Sequence, residues 1–168
     1  MMKINKVLLD TCFLIELADK NKPCHKNAKD YFDYFNKHNI PYYLSPIVVA
    51  EYWQNDLVND FPINSFRHLS FNITEGRESA ILNKRLVEHK DKLNENASKA
   101  CIKDDIKILS HLIVTNDIDC FITKDTQAID NYINPLKSFY PAFQKLKIFD
   151  INNPCILEPQ LSINFSKE

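Results

Sequence analysis

Glycine is almost missing: the 168 residues hold one, Gly76. A loop that cradles phosphate by close backbone approach needs several glycines at fixed spacing. Both the P-loop and the dinucleotide-binding turn are therefore excluded. Net charge is nearly missing too, at −1. Dedicated nucleic-acid binders tend to be basic, so any such surface here has to be local. No apolar run approaches the length of a membrane span. The N-terminal stretch MMKINKVLLDTCFLIELADK is broken by Asp10 and Glu16, and no small-residue cleavage site follows. It reads as a buried strand and a helix rather than a signal peptide, and a soluble, cytoplasmic protein is expected. The cysteines are Cys12, Cys24, Cys101, Cys120 and Cys155. Their number is odd, no C-x-x-C occurs, and several sit in apolar runs. They read as reduced, buried small hydrophobes. Cys24 beside His25 is the only hint of zinc-ligand spacing.

The length suits one domain, and apolar and charged shares of 45% and 26% are those of an ordinary globular fold. A chain of this size buries roughly two-thirds of its unfolded surface and needs no staples. Residues 6–10, KVLLD, are apolar at nearly every position, as in a strand covered on both faces. A helix pattern starts at Thr11 with Phe13, Leu14 and Leu17. A second covers His25 to Lys37, with Ala28, Tyr31, Phe32 and Phe35 on one stripe. Residues 41–45 read as the next strand. Ser45 then serves as N-cap and Pro46 as first helical residue of a helix to about Leu57. Residues 68–73 predict a third strand and Thr74 a cap for a helix to about His89. Residues 90–100 read as a loop or the start of the following helix. The clearest helix spans 103–114. Strands at 119–123 and 145–150 follow, with Pro135 and Pro141 between them. Such alternation implies an α/β fold, a three-layer sandwich on a mainly parallel five-stranded sheet, over residues 1–150. Residues 151–168 read as an irregular tail.

In a parallel sheet, ligands bind outside the carboxyl ends of the strands. Asp10 ends strand one, Glu51 lies in the first turns of the helix leaving strand two, and Asp125 follows strand four. A fourth acid comes from the 103–114 helix. Ile102, Ile106, Leu109 and Ile113 form one row there, with Cys101, Ile108 and Leu112 beside it. Helical periodicity puts Asp105 near the middle of this stripe and Asp104 outside it. A carboxylate inside an apolar stripe is costly unless paired or metal-bound, whereas Asp104 suits a solvated first turn. Glu51 shares its face with Ile47 and Val58 and likewise wants a cationic partner. Taken singly, each acid has an ordinary explanation: a cap, a turn residue, an ion-pair partner. Together at one sheet edge, with no strand-end Lys or Arg evident to neutralise them, they call for a divalent cation. All-oxygen ligation suits Mg2+ or Mn2+, and such an ion supports phosphodiester hydrolysis.

The segments LLDTCFLIEL, SPIVVAEYW, KDDIKILSHL and CFITKD, in this order, resemble the PIN domain, including the toxin nucleases of bacterial toxin–antitoxin pairs. The resemblance spans roughly residues 4 to 150. It implies a five-stranded parallel sheet flanked by helices and Mg2+- or Mn2+-dependent cleavage of single-stranded RNA. It also implies a cognate antitoxin and a homodimer as partners, with no membrane involved. Asp10, Glu51, Asp105 and Asp125 match the metal-binding acids. Thr11 and Thr123 match hydroxyl residues able to bond a carboxylate or an attacking water. Three departures stand out. Cys12 replaces a small polar residue, so a contact behind the acids is expected to be lost. The step from Asp105 to Asp125 is slightly long, which keeps Asp104 as a rival ligand. The stretch 126–144 is longer than in compact toxin members.

Single strands are held by basic grooves and stacking aromatics. NPLKSFYPAFQKLK offers Lys137, Phe139, Tyr140, Phe143, Lys145 and Lys147. A second run, Lys84, Arg85, Lys90, Lys92, Lys99 and Lys103, leads into the Asp105 helix, and a plain solvated face explains it as well. Tyr52 and Trp53 read as core. Two rival readings remain. One is a non-catalytic PIN-like module binding RNA or a protein, motivated by the near-neutral charge and Cys12. The other is a response-regulator receiver, which ranks last because no acid follows HLSFNI.

Overall fold

The computed structural model describes residues 4–54, 61–88, 101–115 and 117–157. Strands β1 (Val7–Leu9), β2 (Tyr42–Leu44), β3 (Arg67–His68), β4 (Cys120–Thr123) and β5 (Lys147–Asp150) alternate with helices. These are α1 (Thr11–Ala18), α2 (His25–Lys37), α3 (Pro46–Gln54), α4 (Ile73–Glu88) and α5 (Cys101–Val114). Between β4 and β5 come α6 (Thr126–Ala128), a wide π-helical turn Ile129–Ile133, α7 (Asn134–Phe139) and α8 (Pro141–Gln144). All strand pairs are parallel, in the order β3-β2-β1-β4-β5. The result is the expected three-layer α/β/α sandwich.

The order decides where a ligand can sit. From β1 the chain moves outward through β2 to β3, then crosses back to place β4 on the other side of β1. Connections leaving β1 and β4 therefore diverge, and a crevice opens at their carboxyl ends. Leu9 is level with Ile122, and the backbone N–H of Asp10 donates to Ile122 at 3.2 Å. The two strands thus deliver Asp10 and Thr123 to the same rim.

Strand β1 is central because all three of its side chains are apolar, and all three are fully buried. Helix α2 packs its Ala28, Tyr31 and Phe35 row inward, with the Tyr31 ring 5.3 Å from that of Phe149 on β5. Helix α5 buries Ile106, Ile108, Leu109 and Leu112; the side chains of Cys101 and Ile102, also assigned to its stripe, fall outside the described ones, as does Val58. Residues 151–157 carry no regular element, yet Ile151 and Leu157 are buried. Residues 158–168 of the expected tail, and the expected loop at 90–100, lie outside the described residues.

Three local expectations are corrected. The third strand is only two residues long, and 69–72 are irregular rather than extended. The cap of α4 is Asn72, not Thr74. Its side chain accepts from Thr74 N–H at 2.9 Å, while Glu75 reaches back to the N–H of Asn72 at 2.9 Å. That reciprocal pair satisfies two end donors and draws the helix start forward. Trp53, expected in the core, is 62% exposed, whereas Tyr52 is fully buried. Helix α3 buries one narrow face, and adjacent residues point about 100° apart on a helix. The stretch 126–144 is helical almost throughout, Pro135 and Pro141 standing in the first turns of α7 and α8, where a missing N–H costs nothing.

Candidate active site

Asp10 leaves β1 in an extended conformation and caps α1. Its Oδ1 accepts from Thr11 N–H at 2.8 Å. Oδ2 accepts from the Thr123 hydroxyl at 2.6 Å and the Cys12 thiol at 2.9 Å. The Thr123 hydroxyl in turn accepts the N–H of Asp125 at 2.9 Å. One chain of hydrogen bonds therefore joins the ends of β1 and β4. Asp125 caps α6, its Oδ1 accepting Ala128 N–H at 3.0 Å. Thr11 donates its hydroxyl to Glu51 Oε2, linking α1 to α3.

Asp105 completes the group from α5. Its carboxyl is pushed up to about 8 by burial first, then by the charges of Asp10, Asp125, Glu51 and Asp104. The carboxyl of Asp10 is raised by burial and by Asp125, against the pull of its hydrogen bonds. That of Glu51 is raised by burial, then by Asp10 and Asp104, with Thr11 and Lys107 opposing. The structure thus brings Asp10, Glu51, Asp105 and Asp125 into mutual electrostatic reach. Among the described residues, none forms an ion pair with Asp10, Asp105 or Asp125. Asp104, by contrast, is held by Lys107 at 2.6 Å on its own helix.

These residues fit a divalent ion by donor chemistry. They supply hard oxygens, several of them desolvated, whose charges disfavour one another unless a proton or a dication intervenes. Among the described residues no three His, Cys, Asp or Glu side chains already stand in metal-holding geometry.

Two features escaped the sequence reading. Cys12 does not leave a contact missing. Its thiol bonds Asp10, lies 3.2 Å from the Thr123 hydroxyl, and accepts Lys124 N–H at 2.9 Å. Burial and the Asp10 charge push its pKa well up, so it stays a protonated donor. A strand-end cation is also present. Lys124 follows β4, and its ammonium bonds Glu16 Oε1 at 2.5 Å. The other oxygen of the buried Glu16 accepts Cys24 N–H at 2.8 Å. Lys124 is thereby paired with α1, and it forms no ion pair with Asp10, Asp105 or Asp125. The signal was available: Glu16, one turn after Phe13 on α1, falls on the inward face. Glu16→Ala should cost roughly 2 kcal/mol in urea unfolding. That is below the ~3–5 of a fully buried pair, because Lys124 is 33% exposed; an unchanged midpoint would show the pair to be ornamental.

The basic and aromatic candidates are scattered. Lys137 is half-buried in a cleft of about 580 Å³ with Thr126, Asn134 and the β5 residues Lys147 to Asp150. Tyr140 packs edge-on against Phe143 and its hydroxyl lies 3.5 Å from Glu78. Phe143 is core, and Lys145 is exposed. Lys84 is exposed and lies 3.9 Å from Glu88, and Arg85 is also exposed. Lys90, Lys92 and Lys99, and the side chains of Lys103 and Phe139, lie outside the described ones. Cys12, Cys24, Cys120 and Cys155 are free thiols; Cys24 and Cys120 are buried as expected, whereas Cys12 and Cys155 are only partly buried.

The fold is similar to that of solved structures. VapBC2 from Rickettsia felis, bound to a DNA fragment from its promoter, matches at 18% identity with a TM-score of 0.56, over 86% of this chain and 98% of that one. DNA-bound VapBC from Salmonella typhimurium matches at 14% identity with a TM-score of 0.52, over 88% and 99%. The chain has a PIN-like fold. No family model and no curated protein matches the sequence, so at these identities the likeness is one of fold. The PIN-like arrangement places the acid cluster where the β1 and β4 ends part. No helix among the described residues is long and apolar enough to cross a membrane.

Proposed function

We propose that this chain is a Mg2+- or Mn2+-dependent endoribonuclease of the toxin-like PIN kind, hydrolysing phosphodiester bonds in single-stranded RNA. The observation that carries the reading is Asp105. A half-buried carboxylate lies within electrostatic reach of Asp10, Glu51 and Asp125, has no ion-pair partner among the described residues, and has its pKa pushed up to about 8 by burial and by those charges. A purely structural site would place a lysine or an apolar residue there, since an unpaired buried carboxylate is costly.

Asp10, Glu51, Asp105 and Asp125 would hold the ion. When bound, it supplies an activated water and polarises the phosphoryl oxygen. The chain's own residues do the positioning. Thr123 fixes Asp10 and takes the N–H of Asp125, so both acids keep one spacing. Thr11 orients Glu51 from the first turn of α1. Such hydrogen-bonded support behind ligands sets their direction and basicity. Asp104, held by Lys107, is left as a flanking charge. Lys137, Tyr140, Lys145 and Lys103 remain candidates for contact with the RNA strand beyond the acids.

The same reading includes a cytoplasmic setting, a homodimer, and a cognate antitoxin that holds the nuclease in check. The support is the shared fold of the two VapBC complexes. The reading of a non-catalytic module loses one of its two motivations, because Cys12 makes the contact whose loss was expected, and keeps the near-neutral charge. The test is cleavage of a labelled unstructured RNA by the purified chain. Cutting is expected with Mn2+ and none after chelation. RNA left intact at micromolar protein with either metal, or cut equally well in chelator, would remove the reading.

A further inference from the structure

Cys12 has one hydrogen to give and sits between three acceptor or donor groups. The Thr123 hydroxyl spends its hydrogen on Asp10 Oδ2 and accepts the N–H of Asp125. The Cys12 thiol spends its own on the same Oδ2 and accepts the N–H of Lys124. The two side chains therefore form parallel braces from the β1–α1 corner to the β4–α6 corner, and they touch each other at 3.2 Å. Thr123 braces through the N–H of Asp125, and Cys12 through the N–H one residue earlier. With both present, Oδ2 has two donors converging on it, and the carboxylate has one rotamer that satisfies them.

We propose that Cys12 is a positioning residue for the acid cluster: its thiol locks the Asp10 carboxylate and ties the turn that carries Asp125 to the start of α1, fixing the separation of these two acids. The inference rests on the nuclease reading for its consequence, though the contact itself does not. A hydroxyl at this place can still donate to Asp10. An alkyl group of the same bulk cannot, and it leaves the N–H of Lys124 without a partner. Thiol and hydroxyl are thus interchangeable for Asp10, while thiol and isopropyl are interchangeable for packing.

That difference sets the test. Cys12→Ser and Cys12→Val are made in the full chain, and Mn2+ affinity is read by calorimetry. Positioning predicts that Ser keeps most of the affinity and that Val weakens it by roughly 10–100-fold, the range for losing a group that braces a ligand. Val binding normally with Ser defective would reveal a packing role and overturn the proposal. A second readout needs no metal. The S–H stretching band lost in Cys12→Ser belongs to Cys12, and it should move to higher frequency in Asp10→Ala. A band that stays in place shows that no such hydrogen bond exists. If the wild-type chain binds no Mn2+ while the band does shift, the nuclease reading fails and the Cys12 contact survives. Should Cys12→Val not fold, the Ser variant and the band still decide the matter.

Discussion

Asp10→Asn is expected to abolish RNA cleavage, by on the order of 10⁴-fold, while leaving the protein folded. The loss follows from charge and direction together. Oδ2 receives the only hydrogens of Thr123 and Cys12. One orientation of the amide keeps its oxygen under Thr123 and Cys12 but turns N–H groups on the Thr11 N–H that Oδ1 accepts, and the other turns them on Thr123 and Cys12. Removing one member of a group that acts as a unit costs nearly all of its activity. Stability should change little. Asn caps a helix about as well as Asp. The single mismatch, at the Thr11 N–H in the better orientation and worth about 1 kcal/mol, is opposed by removal of a negative charge that Asp105 and Glu51 both feel. The measurement is a cleavage rate beside a melting curve. Full activity in a folded variant would contradict the role given to Asp10.

Asp105→Asn should separate stability from function more sharply. In the metal-free protein the folded carboxyl titrates near 8, against an unfolded value of 3.8. A raised carboxyl means that the folded state holds a proton the unfolded state has released. Its stabilising share is complete below about pH 3.8 and is lost as pH rises through about 8. At pH 8–9 the wild-type protein therefore carries buried charge repulsion that Asn lacks. The variant is expected to be more stable there by on the order of 1–3 kcal/mol, or ~3–10 °C, and to show a flatter dependence of melting temperature on pH. Cleavage should fall as steeply as for Asp10→Asn. A variant that loses activity and melts lower at pH 9 would mean that Asp105 is a structural acid with a partner of its own.

Much of this site was legible from periodicity. Periodicity prefers Asp105 to Asp104 because seven apolar residues of α5 mark one side of a helix, and only Asp105 shares it. Ser45-Pro46 announced the start of α3 correctly, Ile47 N–H bonding the Ser45 hydroxyl at 3.2 Å. What misled was the short range of such signals. HLSFNI alternates like a strand, yet Asn72 and Glu75 are spaced to close a cap, and the cap takes the backbone after two strand residues. Trp53 lies exposed; hydrophobicity does not say which side of a short helix the core occupies. Cys12 was judged by comparison with a polar residue, and a thiol proved able to make the same kind of bond. Lys124 was overlooked as a strand-end cation because its partner, Glu16, lies 108 residues away in sequence. Pairings of that separation are set by the crossover order of the sheet.

On the nuclease reading, these carboxylates share a dication that takes the place of the proton on Asp105. Calorimetric titration of Mn2+ into the purified chain, repeated in buffers of different ionisation enthalpy, counts protons released on binding. At pH 6.5–7 the count should be near one, should fall toward zero above about pH 9, and should vanish with binding itself in Asp105→Asn. Binding without proton release at neutral pH, or binding that survives the loss of Asp105, would contradict the account.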